Sequence, residues 1–140
     1  MIRIAITFFT LVLMATSALL TGCGSTEQKL QGSNITPAAQ GTVVTKVDDN
    51  NNTNMEVTVK HLAPAQRVLT GATNYVVWVQ PEGSAFFQNV GALQVDKNLD
   101  GSHKTTVPYK NFKVMVTPEM STMTQTPVGP AVFEQAVMRQ

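Results

Sequence analysis

At 140 residues the chain has one domain's length, because domains usually run about 100–200 residues, and a two-domain enzyme is excluded. Ten Lys plus Arg against nine Asp plus Glu give a net charge of +1, which excludes nucleic-acid binding driven by bulk positive charge. One cysteine excludes an intrachain disulfide, so whatever folds does so by burying apolar surface.

Apolar residues are unevenly spread: 15 of the first 22, against 45 of the remaining 118. Arg3, the apolar stretch from Ile4 to Leu20 and small residues before Cys23 read as an export signal, residues 1–22. Leu20-Thr21-Gly22-Cys23 resembles the bacterial lipobox, in which signal peptidase cuts before a cysteine already carrying a diacylglyceryl group. A plain membrane anchor is the competing reading, since about 17–25 apolar residues cross a bilayer. Under the lipobox reading Leu20, Thr21 and Gly22 are the recognition residues and Cys23 is a palmitate-bearing lipid anchor. The membrane is then a partner of the protein, and its thiol is unavailable for redox or nucleophilic chemistry. Gly24, rather than an aspartate, follows the cysteine, which favours the outer membrane in a double-membraned cell.

Residues 23–40 hold few apolar side chains, Leu30 and Ile35 among them, and read as the lipidated cysteine followed by a flexible tether. Asn34-Ile35-Thr36 and Asn51-Asn52-Thr53 match glycosylation sequons that carry little weight in a bacterium. Residues 41–140 read as the folded domain. Beyond residue 22 there are 17 valines and 14 threonines against five leucines and one isoleucine, a composition that favours strands.

Val43, Thr45 and Val47 share one side of a strand, and Met55, Val57 and Val59 one side of the next. Asp48-Asp49-Asn50-Asn51-Asn52 between them predicts a hairpin turn. Tyr75-Val76-Val77-Trp78-Val79 is apolar on both faces and predicts a central strand. Leu93 and Val95 mark a fourth strand, Ser102 to Val107 a polar edge strand guarded by Lys104, and Phe112, Val114 and Val116 a sixth. Ala131 to Met138, after Pro127-Val128-Gly129-Pro130, is the seventh. Seven short strands predict an all-β, antiparallel sandwich of immunoglobulin-like type, with Val57, Val59, Val77, Trp78, Leu93, Phe112, Val114 and Val116 in its core.

Tyr75-x-Val77-Trp78, Val90-Gly91-x-Leu93, Val114-x-Val116-x-x-Glu119 and Pro127-x-Gly129-Pro130 together resemble the extracytoplasmic C-terminal domain of anti-sigma-K factors, over residues 74–133. The resemblance implies a β-sandwich outside the cytoplasm. Met120-Ser121 stands where that family carries a glycine pair after the glutamate. The family's sigma-binding head and membrane helix have no counterpart here, so sigma-factor control is not implied.

Candidate chemistry is sparse. Asp96-Lys97-Asn98-Leu99-Asp100-Gly101 fits the opening of a calcium loop, with Asp96, Asn98 and Asp100 as oxygen donors. The closing position is Val107 and strands flank it, so a polar turn is the alternative. Met120 and Met123, with Met115 and Met138 elsewhere, offer thioethers of the kind that suit Cu(I). His61 continues the Met55–Val59 face if that strand runs on, and nothing places it near His103. Asp100, Ser102 and His103 are too close in sequence for a strand to converge them as a triad. No nucleophile elbow, zinc motif or phosphate loop is present, and catalysis is not expected. Phe86 and Phe87 sit adjacent on a connection, where alternation does not account for both; they either cap the sandwich or meet a partner. The expected function is a lipid-anchored envelope protein with a noncatalytic interaction or structural module, no nucleic-acid partner and no cofactor beyond its lipid. The alternative is a small-ligand or calcium module built on Asp96–Gly101.

Overall fold

Alternation of inward apolar and outward polar side chains organises nearly every extended segment of the computed structural model, which describes residues 24–139. The segment expected to be an export signal, with Leu20, Thr21, Gly22 and Cys23, lies outside the described residues. The elements are β1 (Thr26–Gly32), β2 (Gln40–Val47), β3 (Thr53–Lys60), the single-turn α1 (Ala65–Val68), β4 (Asn74–Pro81), β5 (Gln88–Val95), β6 (Gly101–Val107), β7 (Asn111–Glu119) and β8 (Phe133–Met138). Every pairing is antiparallel, and the strands close in the order β1-β2-β3-β6-β5-β4-β7-β8.

The all-β antiparallel expectation holds, but the architecture is a closed eight-stranded barrel in place of a seven-stranded sandwich. The seven expected segments overlap β2 to β8. The additional strand is β1, which occupies part of the segment expected to be a tether. Its inward row is Thr26, Gln28 and Leu30, of which only Leu30 is both apolar and buried, so hydrophobic alternation had nothing to detect. Leu30 packs with Val43 and Phe133 in the main core.

Closure rests on two narrow seams. Strand β1 pairs with β2 over Thr26–Leu30 but with β8 only through Gln31↔Glu134 and Gly32↔Phe133. Strand β5 pairs with β4 over most of its length but with β6 only through Gln94↔Ser102 and Val95↔Gly101. Closure also means that β6 is no edge: it pairs with β3 along its whole length, and Lys104 faces Glu56 across that ladder at 3.6 Å. Where β5 and β6 diverge, His103 spans the gap, its Nε2–H donating to the Val90 carbonyl at 2.8 Å. Gly91, at φ +133°, leaves room for the imidazole; a Cβ there would collide with the ring.

The interior is filled mainly by valine. Val43, Val57, Val59, Val77, Val79, Val114 and Val116 join Met55, Tyr75, Leu93, Phe112, Phe133 and Val137 in one cluster. All eight expected core residues are buried, but Trp78 belongs elsewhere: with Val76 and Met115 it forms a second cluster. Strand β4 thus buries both faces, Tyr75, Val77 and Val79 inward and Val76 and Trp78 outward, beneath Phe87 and Ala131.

Strand directions sort the connections between two ends. The start of β1 shares one end with connections 48–52, 82–87 and 108–110, as the pairings Thr26↔Thr45, Val47↔Thr53, Thr53↔Val107, Pro81↔Phe112 and Asn111↔Met138 require. The opposite end carries connections 33–39, 61–73 and 96–100 and the origin of the 120–132 loop.

Candidate functional site

The best-constructed polar arrangement lies outside the barrel wall, under the 120–132 loop. Met115, Thr117 and Glu119 alternate along β7 on its outer face, opposite Trp78, Val76 and Asn74 of β4. The buried Trp78 indole Nε1–H donates to Thr117 Oγ1 at 2.8 Å, and the Thr117 hydroxyl donates to Glu119 Oε1 at 2.6 Å. The same oxygen accepts the backbone N–H groups of Val128 at 2.9 Å and Gly129 at 3.1 Å. Glu119 is 1% exposed, so its carboxylate exchanges water for three donors, as burial of such a group requires. Gly129 approaches the Pro118 carbonyl so closely that a Cβ would collide with it.

A second clamp holds the middle of the loop. The Asn89 amide Nδ2 donates to the Thr122 carbonyl at 2.9 Å and the Thr124 carbonyl at 2.8 Å. Between the clamps the loop exposes Met120, Met123 and Val128 by 61%, 77% and 70%. An open groove of about 560 Å³ runs beside it, lined by Phe87, Asn89, Gly91, Thr122, Met123 and Gln125 among others. Chemically, the arrangement is a rigidly held loop with apolar side chains in water. It offers contact surface.

Phe86 and Phe87 are separated by their environments. Phe87 is half-buried against the Trp78 cluster, whereas Phe86 is 80% exposed on the arm of the 82–87 connection that returns to β5. That connection is fixed by Ser84 N–H to Pro81 O, Gln80 Nε2 to Ser84 O and Phe86 N–H to Ser84 Oγ.

Asp96, Asn98 and Asp100 lie in the β5–β6 turn. Asp96 Oδ1 accepts the N–H groups of Asn98 at 2.8 Å and Asp100 at 3.1 Å, and Leu99 takes φ +67°. The β2–β3 turn has the same design: Asp48 Oδ1 accepts the N–H groups of Asn50 at 2.9 Å and Asn52 at 2.8 Å, with Asn51 at φ +64°. An aspartate bonding its own turn is a general hairpin device, and in both turns one carboxylate oxygen is spent on backbone donors. The Asn52 hydrogen bonds hold the Asp48 carboxyl below the ordinary aspartate value. Among the described residues, no three His, Cys, Asp or Glu side chains converge in a way that suits a metal ion.

The remaining candidates are dispersed. His61 is exposed in left-handed backbone (φ +55°) just past β3, so it does not continue the face of Met55, Val57 and Val59. Ser102 is exposed on β6 while its neighbour His103 is partly buried facing β5, as strand alternation requires. Met115 is buried under the loop and Met138 ends β8 at the other end of the barrel from Met120. Sequence reasoning passed over Thr117 and Asn89 and read Glu119 only as a landmark. The available signal was a lone carboxylate shortly after Val114-Met115-Val116, a stretch apolar on both faces.

The chain is thus an eight-stranded antiparallel β-barrel with a clamped external loop. No protein-family model, curated protein or solved structure matches it significantly. Among the described residues no helix is long and apolar enough to cross a membrane.

Proposed function

We propose that this is a lipid-anchored protein of the bacterial envelope whose barrel serves as a noncatalytic interaction module, with the 120–130 loop as its contact surface for a protein partner. The observation that carries the reading is the loop itself. Met120, Met123 and Val128 stand in water although two clamps, Glu119 and Asn89, fix the backbone that presents them. A preorganised apolar surface loses little entropy on binding. Methionine adapts its shape to a partner.

The anchor comes from Leu20-Thr21-Gly22-Cys23, and it makes an extracytoplasmic site the natural setting. Three of the landmarks that resemble anti-sigma-K C-terminal domains, Trp78, Glu119 and Gly129, belong to one hydrogen-bonded chain through Thr117. The two narrow seams, each of two ladder pairs, support kinship between this barrel and two-sheet sandwiches.

The test is a photoreactive amino acid placed at position 123 in the full chain and activated in intact cells. A discrete adduct from position 123, absent from the exposed control position Ser102, supports the reading. Equal or absent crosslinking at both positions contradicts it.

A further inference from the structure

We infer that the barrel end from which β1 starts lies directly on the lipid surface and that Phe86 is its membrane-inserted side chain; this rests on the reading of Cys23 as the lipid anchor. Between Cys23 and the first strand residue, Thr26, there are only Gly24 and Ser25. Three Cα-to-Cα steps reach at most roughly 11 Å even when extended. The headgroup layer of one leaflet is itself about 5–7 Å deep. A diacylated Cys23 therefore holds the rim of the barrel against the headgroups. The flexible spacer expected over 23–40 does not exist as such, because β1 occupies Thr26–Gly32.

The register then decides which groups meet the lipid. Connections 48–52, 82–87 and 108–110 share the end at which β1 starts. In the strand order the β4–β5 hairpin lies on the far side of the ring from β1. Its connection carries Phe86 on the return arm, 80% exposed, with its N–H donated to Ser84 Oγ. A phenyl ring in water gains by entering the boundary between headgroups and acyl chains. An anchor on one side of the rim and an inserted ring on the other give two attachments, which set the tilt of the barrel.

Charge at this end is close to balanced. Glu27 and Asp49 are exposed, Glu82 accepts from Asn111 Nδ2 at 2.9 Å and Asp48 is engaged in its turn, while Lys46 and Lys110 are exposed and Arg139 is held by Asn51. With the barrel upright, connection 33–39 is carried to the end away from the membrane.

The experiment uses the full chain, purified from cell membranes with its palmitate label verified and reconstituted into vesicles of phosphatidylethanolamine and phosphatidylglycerol containing spin-labelled lipid. Trp78 is wholly buried and serves as the unquenched reference. Phe86→Trp is expected to add emission that is blue-shifted on reconstitution and quenched by the spin label, whereas Ile35→Trp, exposed in connection 33–39 at the opposite end, adds emission that is not. Labelled protein in which Phe86→Trp is quenched no more than wild type overturns the inference and leaves the anchor standing. Quenching of Ile35→Trp in place of Phe86→Trp overturns it too, by reversing the orientation. Protein without palmitate removes the anchor reading and this inference together.

Discussion

The Thr117 hydroxyl donates to Glu119 Oε1 across 2.6 Å while accepting the Trp78 indole N–H at 2.8 Å, which ties the outer face of the barrel wall to the loop that covers it. Glu119→Ala removes the acceptor of three donors, two of them backbone N–H groups at Val128 and Gly129. The expected loss is about 2–4 kcal/mol, because buried donors are left without partners. Urea unfolding followed by Trp78 fluorescence checks it, and amide exchange at Val128 and Gly129 should accelerate in the variant.

Leu30 distinguishes a strand from a tether. In a flexible spacer Leu30→Ala has no effect on stability. Buried at 6% exposure within the main core, it should cost about 2–4 kcal/mol. The measurement is the shift in urea midpoint at unchanged slope.

The Asp48 turn should respond to acid, and the Asp96 turn should not respond to calcium. Hydrogen bonding to its own turn lowers the Asp48 pKa in the folded protein, so its contribution is present above the ordinary aspartate value and is lost as pH falls through the lowered one. The urea midpoint of wild type should fall more steeply than that of Asp48→Ala below about pH 4. Addition of millimolar calcium should leave the melting temperature of wild type unchanged, since Asp96 already spends Oδ1 on Asn98 and Asp100.

Alkali should act through Tyr75. Burial pushes its hydroxyl up to about 12, and the neutral group donates to the Ala63 carbonyl at 2.6 Å. A raised folded-state value means stability present below the unfolded value, near 10, and lost as pH rises toward 12. Tyr75→Phe should show a lower urea midpoint at neutral pH and a flatter decline between pH 10 and 12.

Much of the barrel was legible because its inward rows are valine-rich: β2, β3, β4 and β7 each show the pattern directly. Strand β1 was not, since its inward Thr26 and Gln28 carry no hydrophobic signal and its place depends on partners far away in sequence, Thr45 and Glu134 among them. Closure was illegible for the same reason, being decided at Gly32↔Phe133 and Val95↔Gly101, where no local pattern marks a strand that leaves one partner for another. The double-faced burial of β4 was readable from Tyr75–Val79. What covers the outer face was not, because the 120–132 loop has no regular alternation and finds its place through Glu119 and Asn89. The Asp96–Asp100 motif suggested a cation, and the same aspartate-to-backbone bonding recurs in the Asp48–Asn52 turn.

The proposed lipid anchor at Cys23 decides where this barrel works, and mass spectrometry of the protein extracted from cell membranes tests it most directly. The predicted result is a chain that starts at Cys23 and carries a diacylglyceryl group on its sulfur. A peptide that runs uninterrupted through Leu20-Thr21-Gly22-Cys23 with an unmodified thiol would contradict it.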